Sequence, residues 1–246
     1  MGETAAGEHA ATVVLVHGAF HDPWCWEAVR TGLDARGVLN LAPELPFTGL
    51  GADADTVRAV LDAVDGPVVL CGHSYGGMVI SEAASGRTDV ARLVYLCAVQ
   101  VADNAEMSAS FRPTPFMASL RPDGTGISVD PEIAGPCFYH DCDPALAATA
   151  TARLRAMAVG PGAAAADADA SAEPTRAAWL DIPSTYVVCT SDQVVHPETQ
   201  REMAQNATDV VEWDTSHSPM LSRPDLVVDL LAGLAATINS NTGAVR

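Results

Sequence analysis

One segment constrains the fold of this chain more than any other. Val68, Val69, Leu70 and Cys71 run into Gly72-His73-Ser74-Tyr75-Gly76, and Gly77-Met78-Val79-Ile80 follows. An apolar run of strand length passes through a tight turn into a helical pattern, with a serine at the apex. A G-x-S-x-G turn between strand and helix holds its serine in a strained backbone conformation, with Oγ exposed above a parallel sheet. Glycines are expected at 72 and 76 because side chains there would meet the neighbouring strand and helix. The segment predicts a parallel sheet and a nucleophile, Ser74, at its carboxyl edge.

The rest of the chain repeats the same alternation. Strand-length apolar runs lie at 12–16, 38–42, 68–71, 92–98, 184–190 and 210–213, and helical spacing of apolar residues lies at 24–35, 54–64, 77–85, 198–207 and 224–238. Strand alternating with helix implies βαβ units joined by right-handed crossovers. The expected fold is α/β, a mostly parallel sheet of about six strands with helices on both faces. Residues 10–103 and 182–240 form the expected core. Residues 104–181 break the rhythm with no convincing parallel strand, Pro- and Gly-rich pieces, a helical pattern at 144–157 and an Ala/Gly/Asp tract at 160–172. Long insertions of this kind are usually functional, and this one reads as a cap inserted over the active site.

The net charge of −18 opposes binding to nucleic acid, whose phosphates need cations, and to anionic membrane surfaces. All 13 basic residues are arginine. No apolar run approaches the ~20 residues of a membrane helix, and acids stand where a signal peptide would be basic, so a cytoplasmic location is expected. Among the six cysteines, Cys71, Cys97 and Cys189 lie in strand-like runs as small hydrophobes, and Cys137 and Cys142 alone make a poor zinc pattern. No metal and no cofactor are expected. The expected partner is a small-molecule ester, and a homodimer is left open.

A serine hydroxyl becomes nucleophilic when a histidine takes its proton, and that histidine needs an acid to orient it. Asp192 follows the apolar run 184–190 and His217 follows 210–213, so Ser74, Asp192 and His217 are the candidate catalytic residues. Asp103 and Asp214 are rivals for the acid. His140, His196, His21 and His9 lack a strand-end position, and His73 is expected to support the turn. The oxyanion formed in acyl transfer needs two donors. The backbone N–H of Tyr75 and that of Ala19, with Phe20 as runner-up, are the candidates, while His17 is expected to be buried and bonded to backbone. Phe20, Phe111, Phe116, Phe138 and Tyr139 are the candidate substrate-binding residues of an apolar pocket. Trp24 and Trp26 are expected to be helix-core residues.

The residues 17–26, His-Gly-Ala-Phe-His-Asp-Pro-Trp-Cys-Trp, the turn at 72–78, the stretch ending at Asp192 and Ser216-His217-Ser218-Pro219-Met220 resemble the α/β-hydrolase superfamily. Within it they look like the group of plant methylesterases, hydroxynitrile lyases and bacterial carboxylesterases, including pyrethroid-hydrolysing ones. Phe138-Tyr139-His140-Asp141-Cys142 also looks like the bacterial members. The resemblance implies a compact version of that fold without the two leading strands. The lyases of this group carry threonine after the first-strand histidine and lysine after the catalytic one, where this chain has Gly18 and Ser218. Haloalkane dehalogenases and epoxide hydrolases carry aspartate at the apex held here by Ser74. The expected activity is therefore a serine hydrolase cleaving a carboxylic ester of a small, mostly apolar substrate through an acyl-enzyme. The alternatives are a lactone or thioester hydrolase with the same triad, and a non-catalytic ligand-binding protein on the same fold.

Overall fold

The computed structural model describes residues 10–101, 112–124, 126–158 and 177–243. Its first strand, β1 (Thr12–Val16), is buried along its whole length, as an uninterrupted apolar run in the middle of a parallel sheet should be. A 3₁₀ turn at Pro23–Trp26, capped by the Asp22 side chain on Trp24 N–H, leads into α1 (Glu27–Asp34). The chain then forms the short edge strand β2 (Asn40–Leu41) and returns through α2 (Leu50–Asp62) to β3 (Val68–His73) on the other side of β1. Next come α3 (Gly76–Ala83) and β4 (Val90–Leu96).

The segment between β4 and the next sheet strand contains an antiparallel hairpin, β5 (Leu120–Asp123) with β6 (Gly126–Val129), and two helices, α4 (Pro131–Tyr139) and α5 (Pro144–Ala152). The sheet resumes with β7 (Ser184–Cys189), α6 (Pro197–Met203) and β8 (Asp209–Trp213), and the chain closes with α7 (Pro219–Ser222) and α8 (Pro224–Gly243).

The main sheet has six strands in the order β2-β1-β3-β4-β7-β8, and every pairing in it is parallel. Strand order reverses direction between β1 and β3, so crossovers of one hand place α1 and α8 on one face and α2 and α3 on the other. α1 and α8 pack closely: a Cβ on Gly32 would lie 2.7 Å from Val228 Cγ2. α8 turns Val227, Leu231 and Ala235, spaced by four, into the core. A crevice outside the carboxyl ends of β1 and β3 is the expected ligand position for such a sheet.

The boundaries differ from the sequence reading where the backbone turns. β4 stops at Leu96 rather than at 98 because Cys97 takes a positive φ of 39°. β2 shortens to two residues at the exposed edge. The helical pattern expected at 144–157 ends at Ala152, and Met157 instead bridges to Ile127 of β6. No helix among the described residues is long and apolar enough to cross a membrane.

Candidate active site

Ser74 sits between β3 and α3 with φ of 53°, a left-handed conformation that costs a non-glycine residue about 1–3 kcal/mol. The surroundings hold it there. Ser74 N–H donates to Leu96 O at 3.2 Å, and Ser74 O accepts from Gly77 N–H and Val99 N–H, both at 3.0 Å. A Cβ on Gly72 would lie 2.4 Å from the carbonyl oxygen of Gly76, and one on Gly76 would lie 2.7 Å from that of Val16. Both glycines are required by close backbone approach, as the turn predicted.

His217 lies in the loop between β8 and α7, and its Nδ1 is 2.6 Å from Oδ2 of Asp192, which follows β7. Both side chains are fully shielded from solvent. The same carboxylate accepts from the N–H groups of Val194 (2.7 Å) and Val195 (3.0 Å) on Oδ1 and from Gln200 Nε2 (2.7 Å) on Oδ2. Gln200, on α6, escaped the sequence reading; a buried glutamine on an amphipathic helix carries the same letter as an exposed one. The carbonyl of His217 accepts from His73 Nε2 at 2.8 Å and from Cys97 Sγ at 3.3 Å. His73 thus braces the histidine loop, and burial holds its ring far below the usual histidine range. His217 Nε2 is buried and meets no hydrogen-bond partner, which leaves a lone pair free to take a proton.

Of the rivals, Asp214 is exposed and accepts from Ser191 Oγ at 2.7 Å, while Asp103 lies outside the described residues. His196 caps α6 by accepting from Glu198 N–H at 3.1 Å. His140 is exposed, and His9 is outside the described residues.

The loop after β1 faces the serine turn. A Cβ on Gly18 would lie 2.8 Å from Ser74 Cβ and from His73 Nδ1. His17 is buried, with Nε2 accepting from Leu45 N–H at 3.0 Å and Nδ1 donating to Gly18 O at 3.0 Å. Burial lowers its pKa to about 3. His21 is also buried, its pKa lowered to about 4 by the same cause. Among the described residues the backbone N–H groups of Ala19, Phe20 and Tyr75 make no backbone hydrogen bond.

A cavity of about 250 Å³ opens beside Ser74. The core contributes Ala19, Phe20, Tyr75 and Met78 to its wall, and the segment between β4 and β7 contributes Phe116, Met117, Leu120, Ile127 and Phe138. Phe116 stands with its ring centroid 6.1 Å from that of Phe20 and 5.0 Å from that of Phe138. Tyr75 carries the second hydroxyl of this wall, and it donates to buried Asp53 at 2.7 Å. Of the candidate substrate residues, Phe20, Phe116 and Phe138 therefore line the cavity. Tyr139 does not: its hydroxyl donates to His21 Nε2 at 2.8 Å. Phe111 lies outside the described residues. Trp24 and Trp26 are absent from the wall, and Trp26 is fully buried. A larger hollow of about 760 Å³ lies between α4 and α5. Its wall includes His140 and Glu132 but none of Ser74, Asp192 and His217.

All six cysteines are free thiols. Among the described residues one group brings potential metal ligands together, His73, Cys97 and His217, with ligand atoms within 4.8 Å of one another. Their proximity has a hydrogen-bonding cause, since His73 and Cys97 both donate to the His217 carbonyl.

Residues 13–230 match the model of the alpha/beta hydrolase family. The chain is 31% identical to alpha/beta hydrolase nvfD of Aspergillus novofumigatus, over 91% of this chain and 96% of that protein. It is 27% identical to methylesterase 2 of Arabidopsis thaliana, over 90% and 95% of the two chains. Among solved structures, a pyrethroid hydrolase from Sphingobium faniae JZ-2 superposes with a TM-score of 0.73 at 26% identity, covering 92% of this chain and 98% of that one.

Proposed function

The chain belongs to the alpha/beta hydrolase family, and from that premise we propose that it hydrolyses carboxylic esters of small, mostly apolar substrates through an acyl-enzyme on Ser74. The observation that carries this reading is the fully buried contact of 2.6 Å between His217 Nδ1 and Asp192 Oδ2, in a site whose serine opens on an apolar cavity. Ser74 Oγ attacks the ester carbonyl while His217 Nε2 takes its proton, and Asp192 stabilises the imidazolium. The oxyanion is held by the backbone N–H groups of Tyr75 and Ala19. His217 then protonates the departing alcohol and breaks the C–O bond. In the second half a water gives its proton to His217, attacks the acyl carbon and releases the acid, and the proton returns to Ser74. Every step draws on protein groups and water.

Residues 104–181 act in this reading as a cap, with Phe116 and Phe138 gripping the substrate from above and Phe20 from the core. Two positions favour hydrolysis over cyanohydrin cleavage. No side chain fits at Gly18 without displacing Ser74, and Ser218 follows the base in a chain whose cations are all arginine. The test is Ser74→Ala with a chromogenic short-chain ester. Turnover should fall by about 10³-fold or more, and a fluorophosphonate should label the native protein on Ser74 alone. Undiminished turnover in the variant would sink the mechanism.

A further inference from the structure

We infer that His21 and Tyr139 are positioning residues for the oxyanion loop, through which the insertion fixes the Gly18–Ala19 and Ala19–Phe20 peptides. The His21 N–H holds Gly18 O and the His21 ring holds Ala19 O, which aims the N–H of Ala19 and that of Phe20 beside it. The inference rests on the proposed hydrolysis at Ser74. In a planar trans peptide the N–H points opposite the C=O, so whatever holds a carbonyl also aims the next residue's N–H. Successive carbonyls of this loop are held from behind. Gly18 O accepts from His17 Nδ1 at 3.0 Å and from His21 N–H at 3.4 Å. Ala19 O accepts from His21 Nδ1 at 2.7 Å, and Phe20 O accepts from the backbone N–H of Arg155 at 3.0 Å. His21 O accepts from Arg155 Nε at 2.9 Å. With the carbonyls engaged on one side, the N–H groups of Ala19 and Phe20 point the other way, and both residues line the cavity with Ser74.

Tyr139 decides whether this arrangement holds. His21 grips Ala19 O only as the tautomer with its proton on Nδ1, and a neutral imidazole is free to choose the other. The Tyr139 hydroxyl, donating to Nε2 at 2.8 Å, makes that choice. The His21 ring is walled by His73 at 5.7 Å and Phe138 at 5.0 Å between centroids, both edge-on. Neither His21 nor Tyr139 lines the cavity. His21 reaches the loop by hydrogen bonds, and both rings also pack on Phe138 of the wall, so a variant that keeps the ring isolates the route through the loop. Tyr139 stands at the end of α4 and Arg155 just beyond α5, so the element that covers the substrate also sets the electrophilic groups.

Tyr139→Phe keeps the ring and removes the donor. With the chromogenic ester, kcat per fluorophosphonate-titrated site should fall about 10-fold, a fraction of the 10²–10³ attached to a whole oxyanion donor, while KM stays within about two-fold. A boronic acid, which binds as a tetrahedral adduct, should lose affinity in parallel. A non-hydrolysable amide analogue of the substrate should not. Arg155→Met, which frees the His21 carbonyl but leaves the backbone bond to Phe20, should show the same split and serves if Tyr139→Phe does not fold. Unchanged kcat per labelled site, or a change confined to KM, overturns the positioning role while native labelling of Ser74 keeps the hydrolase reading. A native protein that takes no label on Ser74 overturns both.

Discussion

Gln200 uses every polar atom of its side chain, and none of the side chain reaches solvent. Nε2 donates to Asp192 Oδ2 and to Val195 O, both at 2.7 Å, and Oε1 accepts from Cys189 N–H at 2.9 Å. It therefore ties the acid to the end of β7 and fixes the oxygen that receives His217 Nδ1. Gln200→Leu leaves a carboxylate oxygen short of a donor and two backbone groups unpaired. Each orphaned buried group costs about 1–3 kcal/mol, so urea unfolding should record a loss of about 3 kcal/mol or more, with kcat lowered and KM little changed. Unchanged stability would mean that the amide is replaceable by water. At Gly18 the constraint is steric. Gly18→Ala places a methyl 2.8 Å from Ser74 Cβ, against a serine already held at positive φ. We expect kcat/KM to fall more than about 10-fold, because small displacements of a nucleophile are costly. Labelling of Ser74 by fluorophosphonate, followed by mass spectrometry, would show whether the residue has moved out of reach.

At the scale of elements, α2 reaches the serine turn through one residue. Asp53 is fully buried, accepting from Phe47 N–H at 2.8 Å and from the Tyr75 hydroxyl at 2.7 Å. Burial raises its pKa, and the two donors offset that cost. Asp53→Ala strands both donors and should lower stability by about 2–5 kcal/mol. Asp53→Asn should cost less, because its oxygen still accepts and the Tyr75 hydroxyl can reverse to accept from the amide. An equal loss in both variants, read from thermal midpoints, would show that charge rather than pairing matters. Such links explain what was legible beforehand. The six strands, the turn at Ser74 and the strand-end positions of Asp192 and His217 follow from short-range periodicity. The hairpin β5–β6 and α4 do not, since Pro122 sits in a strand and Pro136 inside a helix, where proline reads as a breaker. Tyr139 looked like a pocket aromatic because its partner, His21, lies 118 residues away. Hydrogen bonds of that range leave no local pattern. Those of Asp53 and Gln200 span only 5 to 22 residues, but they join different elements, and no periodicity of either helix marks them.

For the whole molecule, charge and buried histidine act in opposite directions as pH falls. A net charge of −18 is self-repelling, although arginines such as Arg87, paired with Asp62 and Asp89, relieve part of it. Raising salt from low ionic strength to ~0.5 M should therefore raise the thermal midpoint at pH 7, since screening shortens the range of that repulsion. Acidification relieves the repulsion too, but it meets His17, His21 and His73. Their folded pKa values are depressed by burial, to about 3, to about 4 and well below the normal value. Unfolded, each takes a proton near 6.5, so between that pH and the folded values the unfolded chain binds more protons. Stability is then complete above about pH 6.5 and is lost as pH falls, by up to about 1.4 kcal/mol per unit for each histidine. Asp53, with a raised pKa, has the opposite sign, but it is one group against three. With repulsion screened at ~0.5 M salt, urea unfolding should record a fall of about 2 kcal/mol between pH 6 and 5 from His17 and His21, with His73 adding in the same direction. A flat profile over that interval would mean that these rings are protonated within the fold. His21 could then no longer accept from Tyr139, so the same titration that measures the stability of the fold also tests whether His21 stays neutral, as its bond to Tyr139 requires.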